Sequence, residues 1–169
     1  MSEENTQAAA AEPQAEQMQF QLQKLFVKDV SFEVPNAPAI FNEPGQADIK
    51  LNLSQRVNES GEDIYEVVMT VTVTATAGEN TAYLAEVHQA GLFRIAGFND
   101  QSQHTVLNTL CPHMLFPYAA RVISSLVTEG GFPPLVLQPI NFDQVYAQRV
   151  QETRAQQEAA GDVEVQGNA

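Results

Sequence analysis

Residues 65–77, YEVVMTVTVTATA, show the clearest strand pattern of the chain, and the other elements are assigned relative to them. In this stretch apolar residues alternate with threonines, and because successive strand residues point to opposite faces, one face is apolar and the other is lined by threonine. β-branched side chains occur on both faces, which favours a strand over a helix. A strand that is apolar on one face only is typical of an antiparallel sheet covered on that face. The rest of the chain must therefore supply partner strands and a cover.

Three further segments alternate in the same way and supply the partner strands. Residues 48–57 form one of them, and residues 81–89 follow the central strand after a short hairpin turn. Residues 18–33 form the first strand, with lysines that suit a sheet edge. Its predicted apolar face consists of Met18, Phe20, Leu22, Phe26, Val30 and Phe32.

The alternation also predicts which side chains lie on the polar face of the sheet. Asp29 and Glu33 share this face in the first strand. In the last strand Glu86 and His88 define it, and Leu84 is carried outward with them. After His88, the pair Ala90-Gly91 predicts a bulge.

Beyond residue 97 the apolar period becomes helical. Asp100 or Ser102 can cap a first segment, Pro112 fits the first turn of a second, and Gly130-Gly131 ends it. The second segment has too wide an apolar face for a lone surface helix, which predicts contact with another subunit. Asn141 caps a last helix, whose pattern fades after about residue 150.

These elements predict an α+β domain. A four-stranded antiparallel sheet has its apolar face covered by a long helix, and a shorter C-terminal helix follows. The domain spans residues 17–150. Residues 1–16 and 151–169 are rich in Gln, Glu and Ala, so we predict a disordered acidic N-terminal tail and a flexible acidic C-terminal tail.

The overall charge argues against some partners. The net charge of −13 leaves no basic stripe to neutralise phosphates, so nucleic-acid binding is disfavoured. An acidic surface suits a basic protein partner, or solubility alone. A single cysteine, no signal-peptide pattern and no membrane-spanning apolar run predict a cytoplasmic protein.

The proline-rich connection of residues 34–46 is longer than a hairpin requires, and it contains Ile40 and Phe41. These two residues can either plug the edge of the core or line a groove. Composition alone favours the core role.

The sequence contains no phosphate loop, nucleophile elbow or HExxH motif. His104, Cys111 and His113 are the remaining candidates for chemistry. They are too few for a four-ligand zinc site, and ordinary structural roles are favoured. A thiolate paired with His113 is disfavoured, because helix residues two apart do not face each other. A small hydrolase or isomerase using these residues stays as the enzyme alternative, and we predict no catalytic residue, metal or cofactor.

Several strings together resemble the SecB family of protein-export chaperones. They are FEVPNAP at 32–38, VTVTA at 71–75, LFPYA at 115–119, FPPL at 132–135 and PINFD at 139–143. The resemblance runs in the family's order from about residue 20 to residue 150.

This resemblance implies the same fold and a homotetramer, a dimer of dimers with long helices between dimers and sheets outside. It implies an ATP-independent chaperone of the bacterial cytoplasm, which holds secretory precursors unfolded and delivers them to the motor ATPase SecA. The alternative is a SecB-like holdase in another role, such as a toxin–antitoxin system.

The resemblance also implies two binding sites. Asp29, Glu33, Leu84 and Glu86 match the residues that dock the zinc-carrying C-terminal segment of SecA, with the zinc belonging to the partner. An apolar client groove is expected near the long connection and the last helix. Its candidate lining consists of Ile40, Phe41, Phe142 and Tyr146.

Overall fold

The structure is a computed structural model that describes the backbone of residues 17–165 and the side chains of residues 17–157. The predicted tail of residues 1–16 lies outside the described residues. The strands are β1 (Gln19–Glu33), β2 (Asp48–Gly61), β3 (Ile64–Ala77) and β4 (Asn80–Ala96). The helices are α1 (Asp100–Asn108), α2 (Leu110–Glu129) and α3 (Phe142–Val165). A short 3-10 helix, Ala39–Asn42, lies between β1 and β2.

The predicted antiparallel sheet is confirmed, with the strand order β1-β4-β3-β2. The central stretch behaves as its alternation requires. Val67, Val71 and Val73 are completely buried on the inner face, whereas the threonines between them are half-buried on the other face. We call the sheet face that points away from the helices the outer face.

Strand β1 differs from the prediction, because its register with β4 shifts twice, between Leu22 and Lys24 and between Val27 and Asp29. Each extra residue reverses the parity that follows it. Phe26 therefore pairs with Ala90 on the outer face, so its predicted place on the apolar face was wrong. Beside the second shift the buried side chain of Gln89 donates a hydrogen bond to the carbonyl of Phe26 at 2.9 Å.

The predicted bulge at Ala90-Gly91 was also wrong, since β3 and β4 pair without a shift through these residues. Gly91 instead leaves space for helix α2, which covers the sheet. A Cβ built on Gly91 would lie 2.7 Å from Phe93 and 3.1 Å from Leu115 of α2. The glycine thus lets α2 approach the sheet closely.

Helices α1 and α2 form one bent cover that runs from Asp100 to Glu129 and is interrupted only at Thr109. Its N-cap is Asn99, whose Oδ1 accepts a hydrogen bond from Ser102 N at 2.8 Å, so Asp100 and Ser102 were wrong as caps. Pro112 lies in the first turn of α2 and Gly130 ends it, as predicted. The apolar stripe of α2 packs on the sheet and contains Leu115, Ala119, Ile123 and Val127.

Helix α3 begins as predicted, because Asn141 Oδ1 accepts a hydrogen bond from Gln144 N at 3.2 Å. Its backbone stays helical to Val165, well beyond the residue at which the apolar pattern fades. Among the helices within residues 17–165, none combines the length and apolar character needed to span a bilayer.

Candidate functional site

The four residues predicted to dock a partner lie together on the outer face. Glu33 pairs with Leu84 across β1 and β4, and Glu86 pairs with Ser31, which lies between Asp29 and Glu33 on β1. Asp29 and Glu33 are exposed, and the Glu86 side chain is 40% exposed. The bulge in β1 precedes Asp29, so it leaves both β1 carboxylates on the same face. We call these four residues the acidic surface.

Glu86 is held by two neighbours. Thr72 Oγ1 of β3 donates a hydrogen bond to one carboxylate oxygen at 2.7 Å, and His88 Nε2 lies 3.0 Å from the other. The hydroxyl of Thr72 and then the imidazole of His88 lower the pKa of Glu86 below its ordinary value. Glu86 is thus a fixed, ionised carboxylate at neutral pH.

Most bases of the outer face lie away from the acidic surface, although Lys50 of β2, opposite Thr74, lies at the same end of the sheet. Lys24 pairs with Leu92, Arg94 with Gln21 and Arg56 with Val68. Lys28 Nζ reaches Glu66 Oε1 at 2.7 Å and neutralises it locally. Along β1 and β4 the outer face therefore carries the acidic surface at one end and the basic side chains of Lys24 and Arg94 at the other.

An apolar groove of about 480 Å³ opens between the long connection and the residues that follow α2. Ile40 is 5% exposed and Phe41 is 50% exposed, so the first is a core residue and the second is open to a ligand. Both line the groove. Ile40 thus belongs to the core and borders the groove, whereas Phe41 forms its open surface.

Aromatic rings continue the groove wall. The ring centroids of Phe41 and Phe132 are 5.3 Å apart, and those of Phe132 and Tyr83 are 4.9 Å apart. Burial raises the pKa of the Tyr83 hydroxyl. The apolar lining also includes Ile49, Ala82 and Leu135, and we call this cavity the aromatic groove.

The structure does not bring Phe142 and Tyr146 into the aromatic groove. Phe142 is buried against Phe116 of α2, with ring centroids 5.9 Å apart. The Tyr146 hydroxyl lies 2.8 Å from His104 Nδ1 and joins α3 to α1. Both residues line a separate small cavity beside β2, and Phe142 also borders a cavity of about 220 Å³ between α2 and the residues before α3.

The candidates for chemistry are dispersed. Cys111 is completely buried, and burial raises the pKa of its thiol to about 12, which opposes a thiolate nucleophile. His113 is exposed, and His104 is engaged with Tyr146. Within residues 17–165, no three His, Cys, Asp or Glu side chains group so that they could hold a metal ion.

Sequence reasoning missed three residues of these sites. The alternation of β4 places Tyr83 on the inner face, but nothing in the pattern indicates that it closes a groove. Phe132 follows Gly130-Gly131 and reaches Tyr83 only through the turn after α2. The contact of His88 with Glu86 could have been found, because residues two apart on a strand share a face.

Comparison with known proteins gives the family. Residues 13–153 match the family model described as preprotein translocase subunit SecB. The protein-export protein SecB of Stenotrophomonas maltophilia is 50% identical over 172 residues, covering 100% of both chains. That of Xanthomonas oryzae pv. oryzae is 47% identical over 171 residues with the same coverage. That of Nitrosococcus oceani is 46% identical over 167 residues, covering 98% of this chain and 99% of the relative.

A solved structure has a similar fold. It is a SecB-like chaperone of Mycobacterium tuberculosis in complex with an antitoxin peptide, with a TM-score of 0.60 and 16% identity. The match covers 72% of this chain and 90% of that one. The sequence matches decide the family, and the predicted resemblance is confirmed: the chain belongs to the SecB family of protein-export chaperones.

Proposed function

We propose that this protein is an ATP-independent chaperone that holds secretory precursors unfolded in the bacterial cytoplasm and delivers them to SecA. Family membership supports the chaperone role. The observation that carries delivery is the acidic surface, where Asp29, Glu33, Leu84 and Glu86 are exposed or half-exposed neighbours on one sheet face. Carboxylates beside an apolar residue suit the basic zinc-carrying segment of SecA.

The aromatic groove is the proposed client site. An unfolded client exposes apolar side chains, each worth about 1.5–3 kcal/mol when fully buried. Phe41, half-exposed against Phe132, offers such a surface. When one assembly offers several shallow grooves, their affinities for one client reinforce each other through effective concentration. Because the chaperone binds the unfolded client and not the folded one, binding opposes folding of the client.

A homotetramer, a dimer of dimers, completes the proposal. The tetramer is supported by large apolar side chains that are exposed in the single chain. Val27 and Val30 of the edge strand β1 are each 44% exposed, and Leu110 and Tyr118 of α2 are 41% and 45% exposed. Sedimentation with and without an unfolded precursor tests the assembly, and a monomer at micromolar concentration would contradict it.

Docking is tested by calorimetry with SecA. The combined variant Asp29→Ala, Glu33→Ala and Glu86→Ala should bind roughly tenfold more weakly or worse, because three uncompensated charges are removed. Glu59→Ala, Glu62→Ala and Glu129→Ala together serve as the control, since they remove the same charge from other exposed positions. Unchanged affinity of the first variant would contradict docking at this surface.

Client holding is tested by the refolding of a denatured precursor, which excess chaperone should delay. Phe41→Ala should weaken client binding by up to about tenfold while leaving SecA binding unchanged. Val136→Ala is the control, because Val136 is 75% exposed and does not line the aromatic groove.

Restored export in a strain that lacks its own SecB separates this function from that of a holdase in a toxin–antitoxin system.

A further inference from the structure

We propose that His88 is a positioning residue of the acidic surface and makes the docking of a basic partner dependent on pH. This inference rests on the proposed docking of SecA. It begins with the contact between His88 Nε2 and Glu86 Oε1 at 3.0 Å. Because an ionised carboxylate only accepts hydrogen bonds, Nε2 must carry the hydrogen, and Nδ1 is left to take a second proton.

The surroundings of His88 make its charge matter for docking. Across β1 it pairs with Asp29, and across β3 it pairs with the uncharged Thr70. On its own strand the nearest charged group on this face is Glu86. Lys28, next to Asp29, is turned to Glu66. The imidazole, which is 28% exposed, therefore contacts one carboxylate of the acidic surface and lies across the strand pair from a second, Asp29. Asp29 Oδ1 accepts a hydrogen bond from Val30 N at 2.9 Å.

Histidine is the side chain that ordinarily changes its charge between about pH 5 and 8. When neutral, His88 orients Glu86 and leaves its negative charge available to a basic ligand. When protonated, it forms an ion pair with Glu86 and adds a positive charge beside Asp29. A partner's Lys or Arg must then compete with an intramolecular cation for the same carboxylates, so acidification weakens docking.

The test compares the wild-type protein with His88→Gln. Glutamine offers an amide hydrogen in place of Nε2 and stays neutral, so it retains the support of Glu86 and loses the switch. Calorimetry with the zinc-loaded C-terminal segment of SecA is carried out at about pH 8 and about pH 6. We expect wild-type affinity to fall about two- to fivefold more than that of His88→Gln on acidification.

The comparison cancels any titration of the SecA segment, which is the same in both arms. His88→Ala should bind more weakly than His88→Gln even at about pH 8, because Glu86 loses one of its two supports. Parallel pH profiles of the wild-type protein and His88→Gln would overturn the inference. That result is distinguishable from a failure of docking, in which the three-carboxylate variant binds as well as the wild type at both pH values.

Discussion

The contacts of Glu66 show how single side chains on the outer face contribute to the stability of the fold. Lys28 Nζ lies 2.7 Å from Glu66 Oε1, and Asn58 Nδ2 lies 2.9 Å from Oε2. The contact with Lys28, then that with Asn58, lowers the pKa of Glu66. A carboxyl whose pKa is lowered by folding stabilises the folded state above its unfolded pKa, and this contribution is lost as the pH falls through the folded pKa.

Lys28→Met should therefore lower the free energy of unfolding at pH 7, because Glu66 loses its ion pair. We expect a loss of only about 0.3–1 kcal/mol, since the Lys28 side chain is 41% exposed and solvent screens the pair. The difference from wild type should shrink as the pH falls through the lowered pKa of Glu66. Urea unfolding at one protein concentration measures it, with Lys24→Met as the control on the same strand. If the difference in unfolding free energy between Lys28→Met and wild type stayed constant at acid pH, the ion pair would not be its cause.

Cys111 should be inert towards thiol reagents in the folded protein. Its side chain is completely buried and burial raises the pKa of the thiol to about 12, so the reactive thiolate is scarce. A chromogenic disulfide reagent should label it only at the rate of unfolding. In Ser60→Cys, which adds an exposed thiol, one of two cysteines should react at once. Rapid labelling of the wild type would show that α2 lifts from the sheet.

At the scale of elements, the contact between α2 and β4 depends on Gly91. Gly91→Ala would place a methyl group 2.7 Å from Phe93 and 3.1 Å from Leu22. Since Phe93 is completely buried, its ring has little room to move, and we expect a loss of about 1–3 kcal/mol in unfolding free energy. Leu92→Ala, on the outer face of the same strand, should cost less. Unfolding curves of both variants measure the difference.

The elements themselves were predictable to different degrees. Strand β3 is paired on both sides, so its alternation runs unbroken and its faces were predicted correctly. Strand β1 lies at an edge, where an extra residue is tolerated, and its two register shifts exist only relative to β4. Between the shifts Lys24 and Lys28 interrupt the apolar alternation, but the lysines were interpreted only as a sign of a sheet edge. For this reason Phe26 was assigned to the wrong face.

The two proposed sites show the same contrast at the scale of the whole molecule. The positions of the four residues of the acidic surface were predictable, because strand parity assigns each residue to a face and the family resemblance matches single residues. The aromatic groove was predicted only in part. Ile40 and Phe41 border it, but Tyr83 and Phe132 join it from distant segments through packing. Phe142 and Tyr146 belong instead to the contacts of α3 with α2 and α1.

The exposed carboxylates of the acidic surface predict that SecA docking depends on the salt concentration. Exposed carboxylates attract a basic segment over distances that salt screens. Raising the salt concentration from about 0.05 M to about 0.5 M should weaken SecA binding roughly tenfold. The variant that lacks the three carboxylates should respond much less, whereas the control with Glu59, Glu62 and Glu129 replaced should respond like the wild type. Equal salt slopes in all three proteins would contradict an electrostatic contact.

Tyr83 and Leu84 are consecutive residues of β4, one facing the aromatic groove and the other the acidic surface. The thickness of a single sheet therefore separates the two proposed sites. We expect a precursor held in the aromatic groove to leave the acidic surface accessible to SecA, so that a ternary complex precedes release of the precursor.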